Sequence, residues 1–105
     1  MKIDHIAFQV DNPSLAAEWY SKNFDAKILY SDETWSFIEF ENIKMAFVMH
    51  DHHPAHIAFE DPDLKNGKKH RDGSFSIYKK DPFGNFYEII KYPEKKWKKN
   101  YKKNF

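Results

Sequence analysis

Four residues recur in this chain. His5-Ile6-Ala7-Phe8 returns as His56-Ile57-Ala58-Phe59, about half a chain later. A repeat at that period constrains the fold more than any composition figure, because it points to one supersecondary unit used twice. Each copy opens an apolar, alternating run with a histidine. Histidines at equivalent positions of two related units can converge near the repeat axis, which is an economical way to build a metal site.

The runs between these landmarks read as follows. In residues 3–10, Ile3, His5, Ala7 and Gln9 share one face and Ile6, Phe8 and Val10 the other, the pattern of a strand with one fully apolar face. Asn12-Pro13-Ser14 opens a helix, with Asn12 or Ser14 as the cap and Pro13 in the first turn. Leu15, Trp19 and Tyr20 spread over this amphipathic helix, which ends near Phe24 and is expected to pack on Ile6, Phe8 and Val10. Residues 26–31, 34–40 and 43–49 read as three strands joined by short turns, hence antiparallel hairpins.

After His56, residues 61–73 are polar and turn-rich and read as a loop. Residues 74–80 and 85–92 form a hairpin about Asp81-Pro82-Phe83-Gly84-Asn85, where Pro82 fixes a turn φ and Gly84 supplies a positive one. The second unit thus reads as short of a helix and one strand. The expected fold is α+β: paired βαβββ-type modules forming a cupped, antiparallel-rich mixed sheet, the second module shortened. One domain is expected over residues 1–92, with module one at 1–50 and module two at 54–92, followed by a basic aromatic tail at 93–105.

Composition narrows the function classes. At 105 residues the chain supports one core, and its ten Phe and three Trp supply much of the area to be buried. It has no cysteine, which excludes disulfides, thiolate ligands and a cysteine nucleophile. No apolar run approaches the roughly 20 residues of a membrane span, and the N-terminus lacks the apolar stretch of a signal peptide. A cytoplasmic protein with no membrane partner is expected. The net charge of +1 is uneven: residues 93–105 carry +5 and the rest −4, so the body has no electrostatic footprint for nucleic acid. Trp97, Tyr101 and Phe105 recur every four residues, so the tail can form a helix with an aromatic stripe. A solvated or partly docked helix is the plain reading, and basic-aromatic docking to nucleic acid or membrane the alternative.

Strand parity decides which side chains can meet. His56 shares a face with Ala58 and Glu60, His5 with Ala7 and Gln9, and Glu88 with Phe86 and Ile90. With the apolar faces taken by a helix or outer core, the histidines look into the concave side of the sheet. Two imidazoles and one carboxylate can form a facial triad that leaves positions open on a divalent metal. Singly, a strand histidine is more often structural and a strand glutamate beside a hairpin more often surface; the repeat is what raises the odds. His50, His52 and His53 read as an exposed linker, with a second metal site or a catalytic base as the alternative, and His70 lies in a loop that could close over the site.

The chain resembles the vicinal oxygen chelate superfamily, which includes glyoxalase I, bleomycin-resistance proteins, extradiol dioxygenases and fosfomycin-resistance enzymes. The resemblance rests on residues 4–10, Ala17-Glu18-Trp19-Tyr20 through Phe24, residues 55–59, and Asp81-Pro82-Phe83-Gly84-Asn85-Phe86-Tyr87-Glu88-Ile89. It implies His5, His56 and Glu88 as ligands of a divalent metal (Zn, Fe, Mn or Ni). The fourth ligand position of glyoxalase I falls on Ala46, which cannot ligate, so the remaining set is similar to that of fosfomycin-resistance enzymes and extradiol dioxygenases. Ser76 and Tyr78 match residues of the phosphonate pocket in the former, whereas the threonine two residues past their first histidine is Ala7 here. Lys68, Lys69 and Arg71 lie near the place of their basic clamp.

The expected function is a metal-dependent enzyme on a small oxygen-chelating substrate: a lyase or isomerase, a thiol transferase or a dioxygenase. Glu88, Tyr78 and Glu60 are the expected catalytic residues, and Gln9, Trp35, Phe37, Phe47, Ser76 and Tyr78 the expected pocket. A metal-free drug- or metabolite-binding module is the alternative, and a degenerate structural paralogue acting through its lysine-rich tail a third. A homodimer covering the thin wall of the second module is expected.

Overall fold

The computed structural model describes residues 1–70 and 73–93, so Arg71 and all of the expected tail beyond Pro93 lie outside the described residues. The elements are β1 (Lys2–Gln9), α1 (Pro13–Phe24), β2 (Lys27–Ser31), β3 (Trp35–Glu39), β4 (Lys44–Val48), β5 (His56–Glu60), β6 (Lys68–Lys69), β7 (Phe75–Lys80) and β8 (Phe86–Lys91). They form one open sheet in the order β2-β3-β4-β1-β5-β8-β7-β6. The order is a palindrome of the repeat: β1 and β5 meet at the centre, and β4 and β8 flank them in parallel. The paired-module, mixed-sheet α+β fold is what the sequence leads one to expect.

The register makes the pseudo-twofold explicit. In the central antiparallel pair His5 lies opposite Ala58, Ile6 opposite Ile57, and Ala7 opposite His56. The two copies of the repeat are therefore each other's partners. Local chemistry sets the element ends. The Asn12 side chain caps α1 by accepting from the Leu15 amide at 3.1 Å, with Pro13 in the first turn, and Asp25 ends the helix in a left-handed conformation at φ 57°. The Asp81 carboxylate accepts from the amides of Phe83 and Asn85, and Gly84 takes φ 91°, which closes the β7–β8 hairpin.

Two expectations need correction. The fourth strand of module two is not lost but cut to the two residues of β6; among the described residues of that module there is no helix, and residues 61–64 form a turn. Helix α1 does not sit on Ile6 and Phe8. It lies over β2, β3 and β4, where Ala17 meets Ile38 and Phe47, with Val10, Tyr20 and Met45 packed around them. The parallel β1–β4 pairing explains this, because the chain crosses from β1 to the far edge of its module and α1 follows the crossing. Phe8 is left 42% exposed, and Leu15 and Trp19 face outward. Among the described residues no helix is long and apolar enough to cross a membrane.

Candidate metal centre

Cross-strand register builds the site from two matching rows on the concave face. One row reads Phe37, Ala46, Ala7, His56 across β3, β4, β1 and β5. Its repeat mate reads Tyr78, Glu88, Ala58, His5 across β7, β8, β5 and β1. The aromatics correspond in contact as well as in register: Phe37 stands edge-on to His5 at 5.4 Å and Tyr78 edge-on to His56 at 5.0 Å. Ala7, Ala46 and Ala58 are buried, so the floor between the histidines is low and leaves room above it. The rows differ chiefly at one place, where Glu88 faces Ala46. The expected alignment of those two residues is thus reproduced by the strand pairing.

His5, His56 and Glu88 come together there. Glu88 Oε1 lies 3.2 Å from Nε2 of each histidine, and one donor atom from each residue falls within 4.8 Å of the others. All three side chains are buried. Ligands each about 2.0–2.2 Å from one zinc ion stand roughly 3–3.5 Å apart in a tetrahedral arrangement, so the donor set fits a divalent cation without large movement. Each histidine is also held in the tautomer that such a role requires. His5 Nδ1–H donates to Asp4 Oδ2 and His56 Nδ1–H to the Pro54 carbonyl, both at 2.8 Å, which leaves both Nε2 atoms aimed at the centre.

The electrostatics follow from this crowding. Burial disfavours the His5 imidazolium, but hydrogen bonds and charge from Asp4 and Glu88 outweigh it and raise the pKa. Burial likewise opposes ionisation of Glu88, yet His5, His56 and the Ser76 hydroxyl hold it well below the usual carboxylate range. Burial and the Glu88 charge push the Tyr78 hydroxyl up, so it stays protonated. The His53 ring, partly buried and repelled by neighbouring histidines, is shifted down.

A cavity of about 510 Å³ opens beside the cluster, lined by His53, Pro54, Lys68, His70, Ser76 and Tyr78 among others. That is a small-molecule size. Ser76 donates to Glu88 and accepts from His70 Nε2 at 2.6 Å. Trp35 and Phe37 stand outside that lining, on the first-module side of the cluster, their ring centroids 5.8 Å apart. Gln9 braces the inter-module loop: its amide donates to the carbonyls of His53 at 2.8 Å and His50 at 3.3 Å. His50 and His52 face Asp11 and Asp51 at the surface, and the described residues hold no second cluster of metal-ligating type.

Other expected site residues lie elsewhere. Phe47 is no pocket residue; it is fully buried beneath α1, because its neighbour Ala46 takes the concave face and alternation sends Phe47 to the other. Glu60 ends β5 beside Lys2 and Ile90, outside the cluster. The sequence reading also missed one group. Asp4 is buried and accepts from His5, from Tyr92 at 2.6 Å and from Lys44 at 2.9 Å. A register shift between Ile3 and His5 lets Asp4 and His5 cooperate although they are adjacent, and strict alternation gives no sign of that bulge.

No family model matches the sequence. The metallothiol transferase FosB of Bacillus licheniformis is 30% identical over 113 aligned positions, which take in 83% of this chain and 73% of the relative. That alignment is longer than the chain itself, so the relative carries segments absent here. Among solved structures, a Streptomyces coelicolor methylmalonyl-CoA epimerase in complex with 2-nitronate-propionyl-CoA is similar at TM-score 0.71 and 12% identity, covering 90% of this chain and 96% of that one. A Legionella pneumophila protein described as an NAD-dependent benzaldehyde dehydrogenase is similar at TM-score 0.65 and 12% identity, covering 85% and 98%. At such identity these two speak for the fold alone, and the transferase speaks for kinship: the chain belongs to the vicinal oxygen chelate superfamily.

Proposed function

We propose that the protein is a divalent-metal-dependent enzyme that joins a thiol to a small oxygen-bearing substrate, with His5, His56 and Glu88 as the metal ligands. The observation that carries this reading is the buried donor set, three atoms within 4.8 Å with both imidazole tautomers already fixed. The metallothiol transferase relative favours thiol transfer over isomerisation or dioxygenation. A divalent cation held there would act as Lewis acid toward substrate oxygens.

The chain's own residues would do the rest. Ala46, where a fourth ligand would stand, offers no donor, so the protein would supply only three ligands to a bound cation. Tyr78, protonated and beside His56, is placed to donate to an oxygen on which charge develops. Lys68 gives the cavity a cationic group suited to an anionic substrate group, and Ser76 links His70 to Glu88. His53, held neutral and 3.5 Å from the Tyr78 hydroxyl, is the group in the cavity best suited to accept the thiol proton. Trp35 and Phe37 would exclude water from the first-module side.

The test is metal analysis of untagged protein with a thiol-consumption assay, using small thiols and an epoxide bearing an anionic group. One equivalent of metal, metal-dependent turnover, and loss of both in a folded His56→Ala variant are expected. A wild-type protein that binds no divalent metal refutes the reading. Metal binding without thiol consumption would leave the centre and remove the thiol assignment.

A further inference from the structure

The second module builds a polar chain behind its carboxylate. Glu88 is buried and ionised, so its oxygens can only accept hydrogen bonds. One of its donors is the Ser76 hydroxyl, itself buried. A serine has a single hydroxyl proton, and this one goes to Glu88. Toward His70 Nε2, 2.6 Å away, the Ser76 oxygen can therefore only accept. The proton between them belongs to the imidazole. His70 is thus fixed with Nε2–H toward Ser76, the reverse of His5 and His56, which donate through Nδ1–H and turn Nε2 to the centre.

Backbone geometry puts His70 there. β6 pairs with β7 through Lys68 opposite Ser76 and Lys69 opposite Phe75. The pairing depends on Gly67: a Cβ on it would meet the Ser76 carbonyl oxygen at 2.8 Å, and its φ of 150° is one that other residues rarely adopt. Past β6 the His70 amide donates to the Ser74 carbonyl at 2.8 Å, and the Gly73 amide to the His70 carbonyl at 3.0 Å. These main-chain bonds already hold the turn, so the imidazole–hydroxyl bond is not needed to close it.

The repeat supplies an internal comparison. Ser76 stands two residues before Tyr78 as Trp35 stands two before Phe37, and Tyr78 and Phe37 are row mates. Where the second module has Ser76 bonded to His70, the first has Trp35 stacked on Tyr30 at 4.7 Å. The first module also has Ala46 in place of Glu88, and so no carboxylate to hold. The hydroxyl–imidazole pair occurs in the half that carries the carboxylate, and an aromatic pair in the half that does not.

We propose that His70 is a positioning residue for the metal centre, acting through Ser76: its Nε2–H fills the acceptor side of the hydroxyl, which turns the hydroxyl proton onto Glu88 and fixes that carboxylate against His5 and His56. The role rests on the reading of Glu88 as a metal ligand. His70 itself stands outside the donor cluster.

The test is a double-mutant cycle on Zn²⁺ affinity, read by chelator competition, together with nitrogen-15 spectra of the histidine rings in metal-free protein. The spectra should show His70 protonated at Nε2, and a His70 carrying its proton on Nδ1 alone overturns the proposal. His70→Ala should weaken Zn²⁺ binding about 3–10-fold, at or below the low end of what outer partners of metal ligands contribute. His70→Gln, whose amide N–H can take the place of Nε2–H, should recover affinity to within about twofold of wild type. In a Ser76→Ala background His70→Ala should cost nothing further, because the path to Glu88 is already cut. A merely structural His70 gives the same loss in either background, in step with a lower melting temperature and without rescue by glutamine. That result, or an unchanged affinity in a folded His70→Ala protein, overturns the proposal. A wild-type protein without Zn²⁺ affinity brings down the proposed function and this role together; Zn²⁺ binding with additive losses brings down this role alone.

Discussion

Asp4→Asn is the most informative single change at the metal centre, because it alters no ligand. The Asp4 carboxylate accepts three donors: His5 Nδ1 at 2.8 Å, Lys44 Nζ at 2.9 Å and the Tyr92 hydroxyl at 2.6 Å. Asparagine keeps one acceptor oxygen and turns an amide donor toward one of the three. His5 then keeps at best a neutral hydrogen bond, roughly half as strong as the charge-assisted one. Its Nε2 becomes a weaker and less firmly aimed donor. Changes of this sort typically cost 10–100-fold in metal affinity, about 1.4–2.7 kcal/mol. Competition of the protein against a chromogenic chelator for Zn²⁺ at pH 7.5 reads this directly. Tyr92→Phe is the control: it removes one donor to Asp4 but leaves the His5 bond, so its loss should be well under tenfold. A folded Asp4→Asn protein that binds Zn²⁺ as tightly as wild type would refute the idea that Asp4 orients His5 for a metal.

The remaining predictions follow from the same geometry. In metal-free protein the raised His5 pKa adds stability that is complete below its ordinary 6.5 and is lost as pH rises through the folded value; the depressed Glu88 pKa adds stability present above its ordinary 4.5 and lost on acidification. With chelator present, the melting temperature should peak between about pH 4.5 and 6.5, and a steady rise from pH 6 to 8 would contradict the His5–Glu88 pairing. With metal at about 100 times its dissociation constant the protein should gain roughly 2.7 kcal/mol, so the two melting curves should separate further as pH increases. Phe47→Ala should cost about 3–5 kcal/mol in urea denaturation while the surviving folded protein binds Zn²⁺ normally, since Phe47 supports α1 and not the cavity. Ser76→Ala should weaken Zn²⁺ binding by up to about tenfold, because it removes the hydroxyl that steadies Glu88; an unchanged affinity would show that the two histidines suffice to orient that carboxylate.

What was legible in the sequence divides along a physical line. Strand alternation and the repeat are local signals, and they located the strands, the helix with its Asn12–Pro13 start, and the three residues that meet at the centre. The same alternation already separated Ala46 from Phe47, since adjacent residues on β4 cannot both face the cavity; placing Phe47 in the pocket ignored that rule. Two other features were not local. The role of Asp4 depends on a bulge against β5 that breaks alternation between Ile3 and His5, and nothing in residues 3–5 marks it. The position of α1 depends on β1 pairing in parallel with β4, which carries the helix away from the strand it follows.

The unequal modules give the strongest argument for how this centre is organised. A pseudo-twofold sheet would by itself place equivalent groups at Ala46 and Glu88, one on each side of the donor cluster. Only one acidic residue is present, so the first module supplies an alanine and an aromatic wall, and the second supplies the carboxylate, Ser76, Tyr78 and the basic rim. Ala46 stands where the repeat would place a second carboxylate, and the cavity's polar groups come largely from the second module. That module is also the shortened one, so the chain has thinned the back of the very half that carries most of the site's polar chemistry.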